Sequence, residues 1–243
     1  MLVTSYKNNC TKRLINMSGK PAILKMCICT AMVIASCVNI GKSQENTVQP
    51  KGIYSSNFTI NGLPRVITFY IPLNYGKDDN CPIVFFMHAE GEGGKTILKK
   101  YGTEIQQLAD SSQSIVVLPD AVKGHWNSGL GDHATADTIN DVGFIAIMLD
   151  YFVQQYHGDP LRLYVAGFYN GGNMAWRLGC NLPNKIAAVA PFITALPAAG
   201  KSCNPGTYFN AGKFMPKPGD KFSNEALAAA WTFLMNNKKP SQQ

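Results

Sequence analysis

The sequence predicts an α/β domain, a mostly parallel sheet flanked by helices. Three observations carry this. Short continuous apolar runs at 83–87, 115–118 and 161–166 are what strands covered on both faces require. Between them, 96–109 and 142–156 place apolar residues at helical spacing: Ile97, Tyr101, Ile105 and Leu108, then Ile145, Leu149, Phe152 and Tyr156. With 46% apolar and 15% charged residues over 243 positions, the chain buries a core, which excludes a disordered, collagenous or coiled-coil protein.

Taken in order, the chain opens on a leader (1–37) containing Lys7, Lys12, Arg13, Lys20 and Lys25 and then a mostly apolar stretch at 26–38. That stretch is too short to cross a bilayer of about 30 Å and has the size of a signal-peptide core. It ends Ile34-Ala35-Ser36-Cys37, which resembles the bacterial lipoprotein box and makes Cys37 the candidate lipidation site; ordinary signal cleavage and a retained anchor are the alternatives. The expected location is secreted or cell envelope, with the membrane reached only through the signal or a lipid anchor. Residues 38–51 are polar and read as a linker, 52–236 as a single domain and 237–243 as a tail. Within the domain, 58–60 and 66–71 flank Asn61-Gly62, a dipeptide tolerant of positive φ and so a hairpin signal.

The net charge of +7 does not mark a nucleic-acid binder, because removing the leader's five basic residues leaves 17 basic against 15 acidic. Residues 38–160 carry 8 basic and 13 acidic groups, and 161–243 carry 9 and 2, so the two halves should attract. Of seven cysteines, Cys10, Cys27 and Cys29 leave with the signal. Cys81, Cys180 and Cys203 remain in the domain. Cys180 with Cys203 is the expected disulfide, closing a short loop in an oxidising compartment, and Cys81 is left as a buried thiol.

After the run at 161–166 the chain reads Gly167-Phe168-Tyr169-Asn170-Gly171-Gly172-Asn173-Met174 and continues as a helix to about Leu182. Strand, glycine-flanked turn, helix is the context of a nucleophile elbow, where small residues two before and two after the central one allow a strained turn. The central residue should be serine; here it is Tyr169. With Arg65 to Pro72, the strand ending at His88, Leu118-Pro119-Asp120, Trp126, Asp141-Val142-Gly143-Phe144-Ile145 and Ala187 to Pro191, the chain resembles the secreted polyhydroxybutyrate depolymerase and feruloyl esterase-like family of the α/β-hydrolase superfamily, as a degenerate member. The resemblance covers roughly residues 53–195.

The resemblance implies an α/β-hydrolase-like sheet. Beyond Pro191 the family continues through two further strands that deliver an aspartate and a histidine, and this chain is expected to lack them. The strand near 186–190 would then be a sheet edge, covered by the C-terminal segment, paired with a second copy as a homodimer, or left as a weakness. A helix is expected over 225–236. The family's His-Gly after the third strand is replaced by His88-Ala89-Glu90-Gly91. In this fold the order is nucleophile, acid, histidine. Yet the last histidine is His157, and only Asp220 and Glu225 are acidic after Tyr169.

The expectation is therefore an exported relative of carboxylic ester hydrolases that is catalytically impaired or inactive. An esterase using another nucleophile and a non-catalytic binding protein are the alternatives. Ester, polyester or carbohydrate-linked ligands are the implied partners, and no cofactor is implied. His88, Trp126 and Asn170 are the candidates to line a former cleft, although a structural role is the leading reading for His88 and Trp126. His125, Asp132, His133 and Asp137 share a polar loop without metal-ligand spacing, and glycines 91, 93 and 94 lack the ending of a phosphate loop. Asn57-Phe58-Thr59 fits a glycosylation sequon, although its place in an expected strand argues against use.

Overall fold

The computed structural model describes residues 51–76, 80–129, 139–192, 206–209 and 222–241. Six strands form one sheet: β1 (Gly52–Ile60), β2 (Leu63–Ile71), β3 (Cys81–Met87), β4 (Ile115–Pro119), β5 (Gly158–Phe168) and β6 (Ala188–Phe192). Their order is β1-β2-β4-β3-β5-β6. The β1–β2 hairpin and the β2–β4 pair are antiparallel; β4–β3, β3–β5 and β5–β6 are parallel. Among the described residues four α-helices accompany them: α1 (Gly94–Ser112), α2 (Asp141–Gln155), α3 (Asn170–Asn181) and α4 (Asn224–Met235).

The parallel strands are apolar throughout because both faces are covered. Ile83, Phe85 and Met87 of β3 face one core with Phe144, Met148, Phe152, Met174 and Leu178 of α2 and α3. Val84 and Phe86 face the other, with Ile97 and Ile105 of α1 and Leu227, Trp231 and Leu234 of α4. The hairpin turns on Asn61 (φ 53°) and Gly62 (φ 78°), both left-handed as a two-residue primed turn demands. Helix starts are capped by short polar side chains: Asn140 accepts from Gly143 N–H at 2.8 Å, and Ser223 accepts from Ala226 N–H at 3.1 Å. At α1 the capping oxygen is remote, the Asp120 carboxylate accepting from Gly94 N–H at 2.7 Å.

Among the described residues the sheet ends at β6, and a short segment lies against that edge. Val189 forms an isolated parallel bridge with Tyr208, donating to Thr207 O (3.1 Å) and accepting from Phe209 N–H (2.9 Å). Val189 thus turns both backbone groups outward. Pro191, two residues on, faces the same way and has no N–H to offer. At the opposite end of the strands, the residues after α4 fasten to β5, where Lys239 N–H donates to Leu161 O at 3.0 Å and the Tyr164 hydroxyl to Asn237 O at 2.6 Å. No described helix is long and apolar enough to cross a membrane. The leader with Cys37, most of the linker, Cys203, Asp220 and the loop holding Asp132, His133 and Asp137 lie outside the described residues.

Candidate functional site: the elbow between β5 and α3

β5 delivers Tyr169 to the start of α3 at φ 49°, ψ −114°, a region that side chains rarely enter and that costs about 1–3 kcal/mol. The flanking glycines make the turn possible. A Cβ added at Gly167 would fall 2.3 Å from Gly171 O, and one added at Gly171 would fall 2.4 Å from His88 O. Two backbone bonds secure the residue: Tyr169 N–H donates to Phe192 O at 2.8 Å, and Asn173 N–H to Tyr169 O at 3.0 Å. Sequence spacing alone thus located a strained elbow, and the tyrosine holds the backbone geometry the turn imposes.

The Tyr169 ring is half-buried and meets Phe222 edge-on, with centroids 5.7 Å apart. Phe222 immediately precedes the cap of α4 and packs on Phe168 (4.6 Å) and Phe192 (5.0 Å). The approach to α4 therefore brings a hydrocarbon ring to the elbow. Phenyl rings neither accept nor donate a proton. Sequence reasoning missed Phe222, whose only local signal is its place just before the helix-capping Ser223.

His88, Trp126 and Asn170 do come together, but behind the elbow rather than along an open cleft. His88 and Trp126 are both fully buried, at 0% exposure. Trp126 Nε1–H donates to His88 O at 3.1 Å, and the two rings lie 5.0 Å apart. Asn170 clamps the backbone of Trp126 from α3: its Oδ1 accepts from Trp126 N–H at 2.9 Å, and its Nδ2 donates to Trp126 O at 3.3 Å. His88 Nε2 accepts from Ala121 N–H at 2.9 Å, which assigns the ring proton to Nδ1, donated to Ala89 O at 2.7 Å. Burial lowers its pKa from the ordinary value, outweighing the Ala89 bond and the nearby Asp120, Glu92 and Asp141. A neutral, fully bonded imidazole and a sealed indole thus support the turn, as the structural reading of the two residues has it. Both belong to the scaffold, since polar groups buried this deeply require the partners they have found.

A second polar chain, unforeseen from sequence, holds the next residue. Arg177 Nη1 on α3 donates to Asn127 O (2.7 Å) and Asn127 Oδ1 (2.8 Å), and Asn127 N–H donates to Asp141 Oδ2 (2.9 Å). Asp141 in turn pairs with Arg65 of β2 at 2.8 Å, both side chains buried, and the guanidinium lies 4.3 Å from the Phe144 ring centre. The loop at 88–93 is closed by Glu92 N–H onto Ala89 O (3.2 Å) and tied by Gly91 N–H to Gly124 O (2.9 Å).

Cys180 is disulfide-bonded, while Cys81 is buried and outside any disulfide. His125 sits 3.2 Å from Glu90 at the surface, and among the described residues no three metal-ligating side chains converge.

A sheet of this order with a glycine-flanked strained turn between its fifth strand and the following helix defines a protein of the α/β-hydrolase fold. The solved feruloyl esterase module from Clostridium thermocellum, in complex with sinapinate, shares that fold at a TM-score of 0.51 and 17% identity, over 62% of this chain and 56% of that one. By sequence, the chain is a relative of the polyhydroxybutyrate depolymerases and feruloyl esterases. It is 31% identical over 153 residues to the poly(3-hydroxybutyrate) depolymerase of Ralstonia pickettii, and 28% identical over 142 residues to feruloyl esterase D of Neurospora crassa, each match covering 54% of this chain. The chain spans less than half the length of these relatives, 30% and 46% respectively. No protein-family model matches it.

Proposed function

We propose that this chain is an exported, catalytically silent relative of the carboxylic ester hydrolases, which keeps the elbow's geometry without its chemistry. One observation carries this: a phenol stands at the nucleophile's place, at φ 49°, ψ −114°, with a phenyl ring beside it. A phenol at neutral pH attacks an ester only if a base takes its proton. The imidazole packed under the elbow among the described residues, His88, has both nitrogens engaged. Export rests on the leader, with Cys37 as the lipidation site or plain cleavage in its stead.

Retention of a strained turn after loss of its nucleophile supports a role for the elbow in holding a ligand, of the ester or polyester class that the relatives' names indicate. The test is hydrolysis of short-chain p-nitrophenyl esters by the purified protein. Wild type, Tyr169→Phe and Tyr169→Ser should all run at the buffer rate, since restoring a hydroxyl without a base restores no triad. Turnover by the wild type that disappears in Tyr169→Phe would overturn the proposal.

A further inference from the structure

We infer that Asn57 is an acceptor for an N-linked oligosaccharide, at the middle of β1, the outermost strand among the described residues. It stands in the sequence Asn57-Phe58-Thr59, and no other Asn-x-Ser/Thr sequon occurs after Ser18. A strand interior would ordinarily disqualify such a sequon, because the side chain would be buried and the backbone paired on both sides. β1 is different on each count.

Exposure alternates strictly along β1, and Ile53, Ser55, Asn57 and Thr59 all fall on the exposed face. The asparagine that would be modified and the threonine that defines the sequon therefore lie together on one open surface. The opposite face is the anchored one, with Tyr54 stacked on Phe69 (5.4 Å) and Phe58 edge-on to Tyr151 (5.2 Å), so a group on Asn57 lies away from these core contacts. The backbone agrees. With a two-residue turn at Asn61-Gly62, the pair Ile60–Leu63 is hydrogen-bonded. Bonded pairs then recur at Phe58–Arg65 and Ser56–Ile67, so Asn57, opposite Val66, directs its own N–H and C=O away from β2.

The two edges of the sheet are also managed differently. β6 is blunted by Pro191 and by the bridge to Tyr208. β1 presents nine residues without a charge or a proline and without a bulge in its register. Such a strand is a template for association unless something covers it. A glycan on Asn57 would stand over the centre of that row.

In the transfer, Asn57 Nδ2 attacks the anomeric carbon of an oligosaccharide carried on a lipid pyrophosphate. The new C–N bond replaces the C–O bond to phosphate, the lipid pyrophosphate leaves, and one amide proton passes to the transferase's base. The inference rests on the proposed export, and the experiment separates the two. The full chain is translated in the presence of glycosylation-competent microsomes; protease protection reads translocation, and mass spectrometry of the tryptic peptide over 52–65 reads the modification. The expected result is a protected chain whose 52–65 peptide carries a glycan, retained in Thr59→Ser and lost in Asn57→Gln. A protected chain with that peptide unmodified overturns the acceptor assignment and leaves export standing. A chain left unprotected overturns export and this inference with it.

Discussion

Tyr169 occupies backbone torsions that only its neighbours' lack of side chains permits. Gly167→Ala and Gly171→Ala should each destabilise the protein by about 3 kcal/mol or more, since the new methyl meets backbone oxygen that cannot step aside. Urea denaturation checks this, and Gly91→Ala is the useful contrast: its strain is φ alone (74°), with nothing within 4 Å. His88 makes a pH prediction. Its folded pKa lies below the ordinary value of about 6.5, so the unfolded chain takes the proton first. Stability from the neutral ring is fully present above about pH 6.5 and is lost as pH falls through the window beneath it. Denaturation midpoints should therefore drop on acidification, and less steeply in His88→Gln. The elbow was legible because its glycine spacing is a steric requirement written in residue types. The roles of His88 and Trp126 were legible only as a structural reading beside a cleft one, because a buried, satisfied histidine and a cleft histidine look alike until their partners are known.

Elements in this fold are fastened to one another by few polar ties. Arg65 and Asp141 join β2 to the first turn of α2, and Asp141 also holds the loop through Asn127. Arg65→Met should cost about 3–5 kcal/mol by leaving a buried carboxylate without its cation, and Arg65→Met with Asp141→Asn should recover part of that loss. A double-mutant cycle in denaturant measures the coupling. Strands β3, β4 and β5 and helices α1, α2 and α4 were readable within a few residues, since buried strands and amphipathic helices carry their own periodicity. β1 was under-read at its start, where Gly52 to Ser56 alternate in exposure but not in hydropathy. The segment beside Val189 left no pattern at all; a single bridge needs only backbone.

Among the described residues the sheet has one edge met by a short segment at Val189 and ends at β1 on the other. The chain's charge asymmetry is realised in contacts across the two halves: Lys185 with Asp150, an exposed pair that contributes little, about 0–1 kcal/mol, and the exposed Lys238 reaching the buried Asp159 at 3.4 Å. The β6 edge offers a second copy few groups, given Pro191 and the segment over Val189. The proposed silence is a statement about the elbow, where the sheet, the turn and the supporting network are assembled around a phenol. Covalent capture by a fluorophosphonate probe, read by intact mass, tests this most directly, because the probe reports any activated hydroxyl irrespective of substrate. The account predicts an unchanged mass after prolonged exposure. A stoichiometric adduct, mapped to Tyr169 or to any serine or threonine near it, would contradict it.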